Sequence, residues 1–318
     1  MKFYYQLLRK IIFIVMIVVS TAVVSAKPII LNYHSTFIPG FDKAGNLQIA
    51  IRSYYKFDDD SYNLYFLSVN PTTFITSKIP ASEFKTRRSI AGASGYYTFS
   101  EIESTPYYKA LIKYTSPPYK LQNYGIINGN NQTGNFLTID MCPSSKPFES
   151  IFFNNLVKLS DTTHQPTPIA VAISGLFMVT HKEEFDWLVE QKKKNKLAIT
   201  WVNHSFSHAY YPDLPLESNF LLFPRTNQKF EILQTEQLLL ENNQLPSVFY
   251  RFPGLVADKK LVLKLRKYGL IPVGANAWLA KGEKVQPGSI ILVHGNSNEP
   301  RGIELITPML NSLKLLPL

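Results

Sequence analysis

The sequence contains a single cysteine, Cys142, in 318 residues. That excludes an internal disulfide and any zinc module built from several thiolates. Charge is also sparse, at 18% charged against 45% hydrophobic residues, which describes a globular chain able to build a full core without staples. No basic run is interleaved with aromatics, so nothing points to nucleic acid despite a formal net charge of +10. One long apolar run exists, Ile11 to Val24, broken only by Ser20 and Thr21, and it is too short to favour a membrane span.

That run follows Lys2, Arg9 and Lys10 and ends in Val-Ser-Ala at 24–26, with small residues where a signal peptidase needs them. Residues 1–26 are therefore expected to be a cleaved signal. The remainder is expected to be periplasmic, cell-envelope or secreted, with no stable membrane span. Removing the three basic residues leaves a mild positive excess, which suits an anionic envelope surface but equally suits solubility alone. A lone cysteine agrees with export. Nothing in the sequence fixes an oligomeric state.

From Lys27 to about Asn130 the chain is rich in Tyr, Phe, Ser and Thr. Alternating runs such as Leu47 to Tyr55 and Tyr62 to Val69 predict strands joined by polar loops, with little helical periodicity. The turn-rich stretch Asn-Gly-Asn-Asn-Gln-Thr-Gly-Asn at 128–135 marks a boundary. The expected organisation is a β-rich region at 27–130 and a second domain at 131–318.

In the second domain short apolar strands alternate with helical stretches. Strands are predicted at 136–140, 169–174, 197–202, 247–252, 271–274 and 289–294, with helices at 147–159, 182–194, 230–242, 258–268 and 302–313. This pattern argues for an α/β parallel sheet, open or rolled into a barrel. Chemistry in such folds gathers at the C-terminal strand ends. Polar residues recur there: Asp140, His204 and His208, Arg251, Asn276 with Trp278, and His294. Each has an ordinary structural reading alone, as a turn residue, a surface ion pair, a core aromatic or a hydrogen-bonded strand end. The two histidines four residues apart, which one turn of helix would bring to one side, suit a shared metal, and the recurrence strengthens that reading.

In that order and rough spacing these stations resemble the five motifs of the polysaccharide deacetylase family, the NodB-homology or carbohydrate esterase family 4 group. Leu-Thr-Ile-Asp at 137–140 resembles the first, His204 to His208 the second, and Tyr-Arg-Phe-Pro-Gly at 250–254 the third. Trp278 and Leu-Val-His at 292–294 resemble the fourth and fifth. The resemblance implies a distorted (β/α) barrel that removes acetyl groups from N-acetylated amino sugars of peptidoglycan, chitin-like chains or exopolysaccharide, using a divalent metal, of which zinc is expected. It further implies Asp140 as base, His294 as acid and Arg251 as the residue that holds the base. His204, His208 and Asp140 are the implied metal-site residues. Pro253, Gly254 and Trp278 fall at the substrate, where a backbone N–H near Gly254 would help stabilise an oxyanion.

Two positions depart from the family. Its first motif usually carries a second aspartate as metal ligand, where this chain has Met141, and a thioether is a poor zinc partner. The replacements, in order of expectation, are Asp140 itself, then water on the two histidines, then Cys142, for which a buried inert thiol is the ordinary reading. In the fourth motif Asn276 stands where an aspartate usually tunes the catalytic histidine, offering a hydrogen bond without charge. Two other readings therefore stand beside the deacetylase: a glycan-binding protein that has lost turnover, and a C–N hydrolase of a small amide.

Overall fold

The computed structural model describes residues 27–58, 60–86 and 99–318, so the expected signal at 1–26 lies outside the described residues. The first sheet is an antiparallel meander of β1 (Ile30–Phe41), β2 (Leu47–Asp58), β3 (Ser61–Val69) and β4 (Thr76–Pro80), in that spatial order. The β1–β2 turn is tied by Asp42, which accepts the Asn46 backbone N–H at 2.9 Å, with Gly45 supplying a φ of 86°. Two helices then follow, α1 (Phe99–Ser104) and α2 (Pro106–Lys113), in a region expected to be mainly β. They are too short to show a period. Only Tyr107 and Leu111 of α2 are buried, four residues apart on one face, and its start is marked by Thr105, whose hydroxyl accepts from Tyr108 N, and by Pro106.

The second sheet is built from β5 (Phe136–Met141), β6 (Thr167–Ile173), β7 (Leu197–Asn203), β8 (Pro246–Tyr250), β9 (Ile271–Pro272), β10 (Ala277–Trp278) and β11 (Ile290–His294). Between or after them come α3 (Ser150–Thr163), α4 (Gly175–Thr180), α5 (Lys182–Lys193), α6 (Gln228–Glu241), α7 (Lys259–Lys267) and α8 (Pro300–Ile306). All seven strands are parallel, in the order β10-β11-β5-β6-β7-β8-β9. This is the expected distorted (β/α) barrel behind a β-rich N-terminal region. Among the described residues β9 and β10 do not pair with each other. The gap is laced by an incoming segment, in which Ile126 bridges to Val273 and the Asn123 amide bonds both the N–H and the C=O of Ala275. The last helix is shorter than the expected 302–313. It ends at Ile306 and tightens into a 3-10 turn at Thr307–Ser312, because Pro308 cannot donate a helical hydrogen bond.

Alternation along β5 divides its residues between two faces. Leu137, Ile139 and Met141 join the layer under the helices with Phe152, Phe153 and Leu156, while Asp140 faces the opposite way, towards the barrel mouth. The barrel interior and the N-terminal sheet share one core, in which Ile49, Ile51 and Tyr54 cluster with Ile232, Val248 and Leu265. A fully buried ion pair crosses this contact. Arg52 on β2 meets Glu236 on α6 through Nε to Oε2 at 2.7 Å and Nη2 to Oε1 at 2.9 Å, and Tyr33 donates to the same carboxylate at 2.9 Å. Among the described residues no helix is long and apolar enough to cross a membrane.

Removing one member of a buried pair leaves the other charge uncompensated, whereas replacing both with apolar groups is close to neutral. Glu236→Leu alone is expected to cost about 3–5 kcal/mol and the double variant Arg52→Met/Glu236→Leu to recover most of it. Urea unfolding of the two variants checks this. Equal losses would mean the pair is not what docks the N-terminal sheet.

Candidate metal centre and active site

The residues singled out at strand ends converge on one cleft of about 440 Å³, lined by Asp140, Cys142, His204, His208, Trp278 and His294 among others. Arg251, immediately after β8, is its organising cation. It is fully buried and donates through Nη1 to Asp140 Oδ1 at 3.1 Å, and through Nη2 to Thr138 Oγ1 at 2.9 Å and Gly274 O at 3.1 Å. Its own carbonyl accepts from His204 Nδ1 at 2.8 Å, assigning the bare lone pair of that ring to Nε2. Burial alone would raise the Asp140 carboxyl, but Arg251, with His204 and the other imidazoles, outweighs it and holds the group below its ordinary value. Asp140 is thus kept ionised, with Oδ2 turned towards His204 Nε2 at 3.6 Å.

His204 and His208 do not share a turn of helix, as the spacing predicted. The segment is an irregular loop in which Ser205 and His208 adopt positive φ of 64° and 48°. Glu231, at the start of α6, accounts for this. Its carboxylate accepts the backbone N–H groups of Phe206 and Ser207 at 3.0 and 2.8 Å, so these donors are satisfied without helical partners. Asn203 Oδ1 takes the Ser205 N–H and Ser205 Oγ the His208 N–H, at 3.0 and 3.2 Å. The rings still meet, with centroids 4.7 Å apart.

The sulfur of Cys142 joins them, 3.6 Å from His204 Nε2 and 3.4 Å from His208 Nε2, and the three atoms all lie within 4.8 Å of one another. Thiolate and imidazole are preferred zinc ligands, and bond lengths of about 2.3 Å to sulfur and about 2.0–2.1 Å to nitrogen at a tetrahedral angle put the two donors about 3.5 Å apart. This donor set therefore fits a divalent ion. Of the replacements expected for the missing third ligand, Cys142, ranked last, stands in the group, and Asp140, ranked first, keeps Oδ2 3.6 Å from His204 Nε2 while Arg251 holds Oδ1.

His294, which also lines the cleft, has Nδ1 3.0 Å from Glu299 Oε2, off the line of a hydrogen bond but close enough for a charge pair. Burial would lower the imidazole, yet Cys142 and Glu299 prevail and raise it to about 10. The Trp278 indole N–H donates to the same Glu299 oxygen at 2.6 Å. Asn276, expected beside the histidine, instead accepts the Ile290 N–H at 2.9 Å. Glu299 escaped sequence reasoning because an acid in a polar loop before Pro300 carries no periodic or motif signal. Gly254 lines the cleft, where a side chain would meet the Phe220 ring at 2.4 Å. Pro253 is buried and is not among the cleft-lining residues, and the Leu255 N–H bonds Phe252 O at 2.9 Å. Tyr210, also missed, is 57% exposed at the rim and stacks on Phe220 at 5.2 Å.

With this geometry in place, the chain can be set beside known proteins. Residues 31–108 match a family described as the RP012 protein N-terminal domain. A family 4 carbohydrate esterase from Bacillus anthracis is 17% identical with a TM-score of 0.44, over 61% of this chain and 85% of that one. The peptidoglycan N-acetylglucosamine deacetylase Bc1960 is 17% identical with a TM-score of 0.43, over 62% and 91%. A wild-type family 4 pseudoenzyme from Bacillus anthracis is 15% identical with a TM-score of 0.40, over 60% of this chain and 63% of its own length, so this chain spans less than two thirds of it. These neighbours, active and inactive, are from the group that the motifs resemble.

In metal-free protein the Glu299→Gln variant is expected to move the titration of His294 to lower pH, read from its imidazole proton resonances by NMR. The sign follows from the raised value. The charge pair contributes fully below the free imidazole value of about 6.5 and is lost as pH rises towards about 10. An unmoved titration would mean that Glu299 does not support the charged ring.

Proposed function

We propose that the protein is an exported, metal-dependent hydrolase that removes acetyl groups from N-acetylated amino sugars of a cell-wall or extracellular polysaccharide. One observation carries this reading. A buried carboxylate held ionised by Arg251 stands beside two metal-competent imidazoles in the cleft that also holds His294. A divalent ion held there, with zinc the best chemical match to the donors, would polarise the acetyl carbonyl and acidify the attacking water. Asp140 Oδ1 is tied to Arg251, which leaves Oδ2 to take the proton of that water. His294 faces Glu299 through Nδ1 and carries a proton on its other ring nitrogen for the departing amine, since an amide nitrogen must be protonated before it can leave. Trp278 and Tyr210 offer ring faces at the cleft for the apolar faces of a sugar.

The binding-only alternative is favoured by one specific feature, the packing of Met141 into the core, which removes the ligand expected at that position. The readings separate in one experiment on residues 27–318. Acetate released from N-acetylglucosamine oligomers or peptidoglycan is expected to need zinc or cobalt, to stop with chelator, and to fall to background in His204→Ala. Folded, metal-loaded protein that binds glycan without releasing acetate would establish the alternative. Release from small non-sugar amides, with no gain from longer glycans, would establish the small-amide hydrolase.

A further inference from the structure

We infer that Cys142 is a metal ligand that binds as thiolate, completing with His204 and His208 a centre selective for borderline or soft divalent ions such as zinc, and freeing Asp140 from ligation. The inference deepens the functional reading and rests on it for the presence of a metal.

The register of β5 supplies the first argument. Met141 is fully buried in the layer under the helices and faces away from the cleft. The next residue returns to the cleft side, because successive side chains alternate. Cys142 lies just past the strand end, and its carbonyl is held by the Asn296 amide at 2.6 Å. The residue that could replace the lost ligand is therefore not at the substituted position but one further along.

The second argument is distance. Sulfur to the two Nε2 atoms measures 3.6 and 3.4 Å, which brackets the separation of about 3.5 Å that tetrahedral zinc imposes on a sulfur and a nitrogen ligand. In the metal-free protein the same lengths suit hydrogen bonds, the sulfur donating to one imidazole and accepting from the other, so the pocket is already sized for the ion. His204 has committed Nδ1 to the Arg251 carbonyl, which leaves its Nε2 for the metal, 3.6 Å from the sulfur and 3.6 Å from Asp140 Oδ2. The third argument is what Asp140 is doing. Arg251 Nη1 holds Oδ1 at 3.1 Å and reaches Oδ2 at 3.5 Å, so ligation by Cys142 lets the carboxylate remain a base although Met141 has replaced a usual ligand. A thiolate with two imidazoles favours zinc or cobalt over magnesium or calcium, which prefer oxygen.

Cobalt(II) is the probe, because thiolate ligation adds a sulfur-to-cobalt charge-transfer band in the near ultraviolet. Titration of metal-free protein with cobalt is expected to give one bound ion with that band, undisturbed by excess magnesium. Cys142→Ser should lose the band and weaken cobalt binding by at least about 10- to 100-fold, the cost of losing even an outer-shell partner. Cys142→Asp should regain binding without the band, which guards against misreading a poorly folded serine variant. Cobalt bound without the band in wild-type protein, or equal affinity in folded Cys142→Ser, overturns the inference. Failure to bind cobalt or zinc at all overturns both the inference and the metal-dependent reading. Binding with the band but no acetate release leaves Cys142 as ligand and removes only the deacetylase.

Discussion

The buried Arg251–Asp140 pair is the constraint on which the rest of the site depends. One guanidinium holds the carboxylate of β5, the Thr138 hydroxyl two residues earlier and the Gly274 carbonyl after β9, while the carbonyl of the same residue orients His204 after β7. It thereby ties together strand ends from both halves of the sheet. A buried arginine is costly to desolvate, and those partners offset only part of the cost: burial still holds its pKa below the ordinary value, and its Nε has no partner among the described residues. The same arrangement assigns roles. A carboxylate held by arginine is suited to moving a proton, and Cys142 and the two imidazoles form a separate group that could hold a metal.

Support for the His204–His208 loop reaches back into the N-terminal sheet. Glu236 pairs with Arg52 of that sheet and also approaches the Asn203 amide at 3.4 Å, and Asn203 in turn accepts the N–H of Ser205 inside that loop. Five residues earlier on α6, Glu231 holds the N–H groups of Phe206 and Ser207 in the same loop. The N-terminal region thus buttresses the helix that shapes the site. Part of its aromatic content builds this shared core, with Tyr33 and Tyr54 buried against α6 and its neighbours, while Phe37, Tyr55, Phe57 and Tyr62 are exposed.

Most of the fold was legible because the parallel strands are short apolar runs with helices of two to four turns between them, and the chemistry falls at their C-terminal ends. Asp140, His204, His208, Trp278 and His294 could each be placed at such an end and converge on the cleft, with Arg251 bonded to Asp140. What stayed hidden depends on distance in space. Cys142 looked like an inert thiol until the loop of His204 and His208 was seen to fold over it. Glu299 looked like a loop acid until Trp278 and His294 were found on its carboxylate. The helix expected at 204–208 failed because a side chain remote in sequence, Glu231, satisfied the backbone instead. The helices α1 and α2 escaped notice because six and eight residues are too few to show a helical period.

The proposed centre divides its labour, with Asp140 on Arg251 and the metal on Cys142, His204 and His208. Anomalous diffraction at the zinc edge from zinc-loaded crystals tests it most directly. The account predicts one peak at about 2.3 Å from the Cys142 sulfur and about 2.0–2.1 Å from the two imidazole nitrogens, with the Arg251–Asp140 contact intact. A peak ligated by Asp140 with Arg251 displaced, or no peak in the cleft, would contradict it.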